Sequence, residues 1–93
     1  MYTSYVTKDD NEQKAYITAY NTSGWAEGSE YASFLVLNTS SKTMTNLCRI
    51  MYAGNYSTTY KIKGNAGSSY RMVGFYELEN PYNYMNISGV WCP

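Results

Sequence analysis

Residues 56 to 63 strictly alternate, with Tyr56, Thr58, Tyr60 and Ile62 on one side and Ser57, Thr59, Lys61 and Lys63 on the other. A period of two is the signature of a strand with one covered and one wetted face. The same period recurs in Ala15–Tyr20, where Ala15, Ile17 and Ala19 alternate with Tyr16, Thr18 and Tyr20. No stretch shows a helical 3.6 period. Tyr31–Leu37 has a near-continuous apolar centre, which predicts a strand covered on both faces. Thr43–Tyr52 places Met44, Cys48, Ile50 and Tyr52 on one face. Tyr70–Leu78 carries Gly74 in its interior, a position that marks a bulge or a close backbone approach. Tyr2–Thr7 and Met85–Trp91 complete a set of about seven short strands.

Turn chemistry separates them. Asn21-Thr22-Ser23-Gly24, Asn38-Thr39-Ser40-Ser41-Lys42, Ala53-Gly54-Asn55 and Gly64-Asn65-Ala66-Gly67-Ser68-Ser69 are rich in residues that favour turns. In Glu79-Asn80-Pro81-Tyr82-Asn83, Pro81 drives Asn80 into an extended conformation. Residues 8–14 hold five of the fourteen charges and read as a solvated turn. Strands at this spacing predict one all-β domain over residues 1–93, an antiparallel β-sandwich.

Composition excludes several functions. Lys and Arg number 7 against 7 Asp and Glu, so no basic patch is expected to neutralise a nucleic-acid backbone. The longest apolar run is Phe34-Leu35-Val36-Leu37, far short of the roughly 20 residues of a membrane span. Met1 followed by polar Tyr2-Thr3-Ser4 reads as a start placed on a mature or trimmed chain, so no leader peptide is expected in it. The chain lacks His, which deprives a Ser or Cys nucleophile of its usual base. Glu77 with Glu79, and Glu27 with Glu30, are close enough in sequence to be weighed as glycosidase carboxylate pairs. Neither sits in a catalytic motif, and both read as surface charge. Asp9 and Asp10 lack the further oxygen ligands of a calcium loop. No enzyme, metal or cofactor is expected.

Cys48 and Cys92 are the only cysteines, too few for a structural zinc site. They are either two buried thiols or one disulfide. Low charge with 28 Asn, Ser and Thr residues suits an exported protein, so the disulfide is the expectation. Closing that loop would stabilise by about 4 kcal/mol in the chain-entropy model. Triplets of the N-x-[ST] type begin at Asn21, Asn38, Asn55 and Asn86, but a chain this rich in Asn, Ser and Thr produces them by chance.

The remaining signal is aromatic. Tyr accounts for 12 of the 16 aromatic residues. Its ring and hydroxyl suit both strand packing and adaptable binding surfaces. Aromatics in loops have less reason to be core, so Trp25, Tyr82 and Tyr84 are the candidate ligand contacts. Trp91, beside Cys92, reads as core packing against the disulfide.

The segment Tyr60-Lys61-Ile62-Lys63-Gly64-Asn65-Ala66 and the closing Ser88-Gly89-Val90-Trp91-Cys92-Pro93 resemble small secreted proteins of Gram-positive bacteria related to lactococcin-type bacteriocins. That family carries a Tyr-x-x-x-Gly-x-Ala-like strand and turn and ends near Gly-x-Trp-x-Pro. The likeness covers the last third of the chain. It implies export by a signal peptide and a β-sandwich. For the lactococcin branch it implies interference with cell-wall synthesis through a lipid-linked precursor. Cys92 departs from the pattern, since the family more often has Ser there. The leading expectation is therefore a secreted, non-catalytic, bacteriocin-like or envelope-associated protein that binds a cell-wall precursor or glycan through an aromatic, uncharged surface. The alternatives are a carbohydrate-binding module and a structural surface protein that forms homo-oligomers through Tyr-rich edge strands.

Overall fold

A computed structural model describes residues 2–23, 31–77 and 86–93, with side chains described at 2–20, 31–75 and 89–93. Trp25, Tyr82, Tyr84 and the side chains of Glu27, Glu30, Glu77 and Glu79 lie outside the described residues. Seven strands are present among the described residues: β1 (Val6–Thr7), β2 (Lys14–Ser23), β3 (Tyr31–Asn38), β4 (Cys48–Ile50), β5 (Gly54–Thr59), β6 (Ser69–Glu77) and β7 (Asn86–Cys92). They form two antiparallel sheets, β1-β6-β3-β4 and β5-β2-β7. Among the described residues there is no helix, and so none long and apolar enough to cross a membrane.

The strand periods account for the core. Alternate residues of β2 (Ala15, Ile17, Ala19) and of β3 (Ala32, Phe34, Val36) are buried and face each other between the sheets. One cluster joins Ile17, Ala19, Ala32, Phe34, Cys48, Ile50 and Met72. The other joins Ala15, Val36, Met44, Tyr60 and Tyr70. Trp91, partly buried, packs against both clusters, and not against the disulfide expected from its place beside Cys92. Tyr60 and Tyr70 meet edge to face, with centroids 5.8 Å apart. That arrangement suits the quadrupoles of two rings.

Several expectations are corrected. The strand expected over Thr43–Tyr52 shortens to Cys48–Ile50 because the preceding residues cross between the sheets. Met44 N–H donates to the Val36 carbonyl of one sheet (2.8 Å), while Asn46 N–H donates to the Thr59 carbonyl of the other (3.1 Å). Thr45, 1% exposed, accepts from Val36 N–H through its hydroxyl (3.1 Å). Gly74 interrupts no register: it lies opposite Phe34 in an unbroken β3–β6 ladder. The irregularity lies in β2 instead, between Ala19 and Asn21, opposite β7. There a Cβ on Gly89 would sit 2.0 Å from the Thr18 carbonyl oxygen, so the backbones close up over a glycine.

The disulfide is not formed. Cys48 is a buried free thiol and Cys92 an exposed one. Strand parity explains the separation. On β7, Trp91 points into the core, so its neighbour Cys92 points out of the three-stranded sheet, opposite Tyr16. Cys48 points inward from the other sheet. Burial pushes the Cys48 thiol above its ordinary value.

In the solvated turn expected over residues 8–14, residues 9–12 and 14 are exposed, but Lys8 is not. Lys8 is 1% exposed. Its ammonium donates to the Pro93 carbonyl (2.6 Å), lies 3.6 Å from Asp10 and sits 4.9 Å from the centre of the Tyr60 ring. Gln13 grips the backbone of Gly64 twice, donating to its carbonyl (2.8 Å) and accepting its N–H (2.9 Å). Asn11 accepts Ala66 N–H (3.0 Å). Local polarity alone does not distinguish a segment hydrogen-bonded to a neighbouring loop from one hydrogen-bonded to water.

Candidate functional site

Two surfaces stand out once the core is subtracted. The larger is the outer face of the four-stranded sheet. Inward-facing residues of β6 are Tyr70, Met72 and Gly74, so Arg71, Val73 and Phe75 face outward. Register places Arg71 beside Leu37, Val73 beside Leu35 and Phe75 beside Ser33 of β3. Beyond β3, Arg49 of β4 lies beside Ser33. On the other flank the N-terminal segment runs antiparallel beside β6, with Tyr2 bridged to Val73.

This face is aromatic and apolar, and partly packed. Val73 and Leu37 are buried although they point outward. Tyr2, Tyr5 and Phe75 are 62%, 45% and 50% exposed. Phe75 is half-exposed on an inner strand of the sheet, and apolar and aromatic groups exposed together on one face mark an interaction surface. The face also carries charge, unlike the uncharged surface expected from composition. The Arg71 guanidinium lies 4.5 Å from the Tyr2 ring centre and 5.1 Å from that of Tyr5. The Arg49 guanidinium lies 4.1 Å from that of Tyr31. Arg71 also reaches Ser41 Oγ at 3.5 Å. Among the described residues no carboxylate pairs with either arginine.

The smaller surface is a cavity of about 400 Å³ beside the 38–42 hairpin and the 63–70 turn. Asn38, Thr39, Lys63, Asn65 and Ser68 supply amides, hydroxyls and an ammonium to its walls, and Tyr70 supplies a ring. The walls are held by local bonds. The Asn38 side-chain oxygen accepts Ser40 and Lys42 N–H groups, each at 2.9 Å. Tyr70 OH accepts Asn65 N–H at 2.9 Å. Gly67, at a φ of +84°, forms the left-handed position of a turn closed by Ser68 N–H to the Asn65 carbonyl (3.2 Å). This cavity can hold a hydroxyl-rich ligand through hydrogen bonds while a ring supplies an apolar wall.

The other described surface has different chemistry. The outer face of β5-β2-β7 presents Lys14, Tyr16, Thr18 and Tyr20 with Ser57, Val90 and Cys92. Tyr16 OH donates to the Glu12 carboxylate, and that bond holds the phenol above its ordinary value. Among the described residues no group of three or more Cys, Asp or Glu is placed to hold a metal ion.

Of the site residues expected from sequence, Cys48 and Cys92 are placed apart, and the three loop aromatics lie outside the described residues. Sequence reasoning missed Tyr2, Tyr5, Arg49, Arg71 and Phe75. One signal could have found Arg71 and Phe75: they share parity on the Tyr70–Leu78 strand, opposite the buried set. No match to the chain was found among protein-family models, curated proteins or solved structures.

Proposed function

We propose that this chain is a secreted, non-catalytic, envelope-associated binding domain that takes a cell-wall glycan on the outer face of its four-stranded sheet. The observation that carries the reading is the half-exposed Phe75 on that face, on the same strand as Val73, to which the exposed Tyr2 is bridged, and Arg71, which lies against Tyr2 and Tyr5. Sugar rings present C–H faces that stack on aromatic side chains, and Tyr adds a hydroxyl for the sugar's own hydroxyls. Phe75 is held on β6 within the sheet, which lowers the ordering cost of binding at that ring. The hydrogen-bonding cavity beside the 38–42 hairpin meets the same chemistry, and Ser41 of that hairpin contacts Arg71, so the two surfaces adjoin. The likeness to lactococcin-type proteins supports an envelope target and a bacteriocin-like role. Co-sedimentation with insoluble peptidoglycan and cell-wall polysaccharides tests the reading. Binding lost in Phe75→Ala, with the fold intact, supports it, whereas no binding to any glycan overturns it. Growth inhibition of related bacteria would extend it to a bacteriocin.

The self-association reading keeps one observation in its favour. β7 is the last strand of its sheet and carries Val90, 55% exposed. Concentration-dependent oligomers in light scattering, abolished by a Val90→Lys substitution, would favour it.

A further inference from the structure

We infer that the ligand of the four-stranded sheet is an anionic glycan, whose carboxylate or phosphate groups are taken by Arg71 and Arg49. The inference rests on the glycan reading above and gives its ligand a charge. A guanidinium stacked on a ring commits its flat face and leaves its edge N–H groups to carboxylates or phosphates. Both arginines are in that state: Arg71 lies against Tyr2 and Tyr5, and Arg49 against Tyr31. Within the protein, Arg71 Nε is enclosed without a hydrogen-bond partner. Among the described residues, ring stacking and one long contact to Ser41 hold the head group and no carboxylate does. The described acidic side chains are used elsewhere or lie in the β1–β2 connection: Asp10 faces Lys8, Glu12 accepts from Tyr16, and Asp9 is exposed. Among the described side chains this face carries the two arginines and no carboxylate.

Spacing narrows the ligand further. Arg49 lies beside Ser33 and Arg71 beside Leu37, so four β3 residues and two strand spacings separate them. At about 3.3 Å per residue and about 4.8 Å per strand, their backbones are about 16 Å apart. One small anion cannot reach both. An extended chain with repeated negative groups can, crossing Leu35 of the middle strand on the way with Phe75 to one side. Binding of this kind weakens with salt, because the charges are solvent-accessible.

The test uses the full chain and three probes: polygalacturonate, a glycerol-phosphate polymer and a neutral β-glucan. Affinity electrophoresis and calorimetry should show binding to one or both anionic polymers. Whichever binds identifies carboxylate or phosphate as the partner. Arg71→Gln and Arg49→Gln should each weaken it about tenfold or more, as loss of a charged hydrogen bond does. Lys14→Gln, on the other sheet, should leave binding unchanged. Thermal melts confirm that each variant is folded, and Arg49, at an exposed position, serves if Arg71 proves structural. Neutral and anionic polymers bound equally, with no loss in either arginine variant, would overturn the anionic assignment and leave the stacking reading standing. Absence of binding to all three would remove both.

Discussion

Tyr60 offers a prediction whose sign is opposite to ordinary core truncation. Its ring is 6% exposed, packs edge-on against Tyr70 and lies under the Lys8 ammonium. Its hydroxyl, however, is buried with no hydrogen-bond partner. Leaving a buried polar group unpaired costs about 1–3 kcal/mol. Tyr60→Phe removes that oxygen and keeps the ring, the edge contact and the cation–π geometry. The expected result is a gain of about 1 kcal/mol, and for a domain of this size a rise in Tm of about 4–8 °C. The pH dependence adds a second readout. Burial, and secondarily Tyr70, hold the Tyr60 phenol above its ordinary 10.0. The folded chain therefore keeps this proton after the unfolded chain has begun to release it. The contribution is intact below pH 10 and falls as pH rises beyond it, by up to about 1.4 kcal/mol per pH unit. Urea unfolding at pH 7 and pH 10.5, wild type against Tyr60→Phe, separates this group from Cys48, which titrates in both proteins. A variant less stable at pH 7, or with an unchanged alkaline decline, would refute the reasoning.

Three further predictions follow from the fold. Gly89→Ala places a methyl group against the Thr18 backbone and should destabilise by about 3 kcal/mol; a melt within 3 °C of wild type would contradict the close approach. Alkylation of the native protein should modify Cys92 rapidly and Cys48 only on unfolding, with intact mass showing two free thiols under non-reducing conditions; an unreactive, disulfide-linked pair would contradict the strand parity. Ser41 occupies a left-handed conformation at a φ of +61°, so Ser41→Gly should stabilise by a few tenths to about 1 kcal/mol in chemical denaturation.

Local pattern reveals strands, but not how they are placed. The alternation in Ala15–Tyr20 identifies the buried face, and that in Tyr56–Lys63 does so up to Tyr60; Ile62, expected on the covered face, is exposed because the strand ends at Thr59. It is less informative for Thr43–Tyr52, where the chain changes sheets and hydrogen bonds to both. The disulfide expectation rests on composition and compartment, and neither reports which way a side chain points. Cys92 needed only its neighbour Trp91 to be recognised as inward for its own outward direction to follow. The site was hidden for a different reason. Tyr2, Tyr5 and Arg71 are far apart in sequence, and the pairing of the N-terminal segment with β6, at Val6–Tyr70 and Tyr2–Val73, brings them together. Lys8 shows the same limit from the other side: nothing local distinguishes a buried lysine capped by Pro93 from an ordinary charged turn.

The central claim is that one face of one sheet is the binding surface. Amide chemical-shift mapping of the labelled full chain, titrated with polygalacturonate or the glycerol-phosphate polymer, tests it most directly. Shifts should concentrate at Leu35, Leu37, Arg49, Arg71, Val73 and Phe75, and should fade as salt is raised. Shifts centred on Tyr16, Thr18 and Val90 of the other sheet, or none anywhere, would contradict the account.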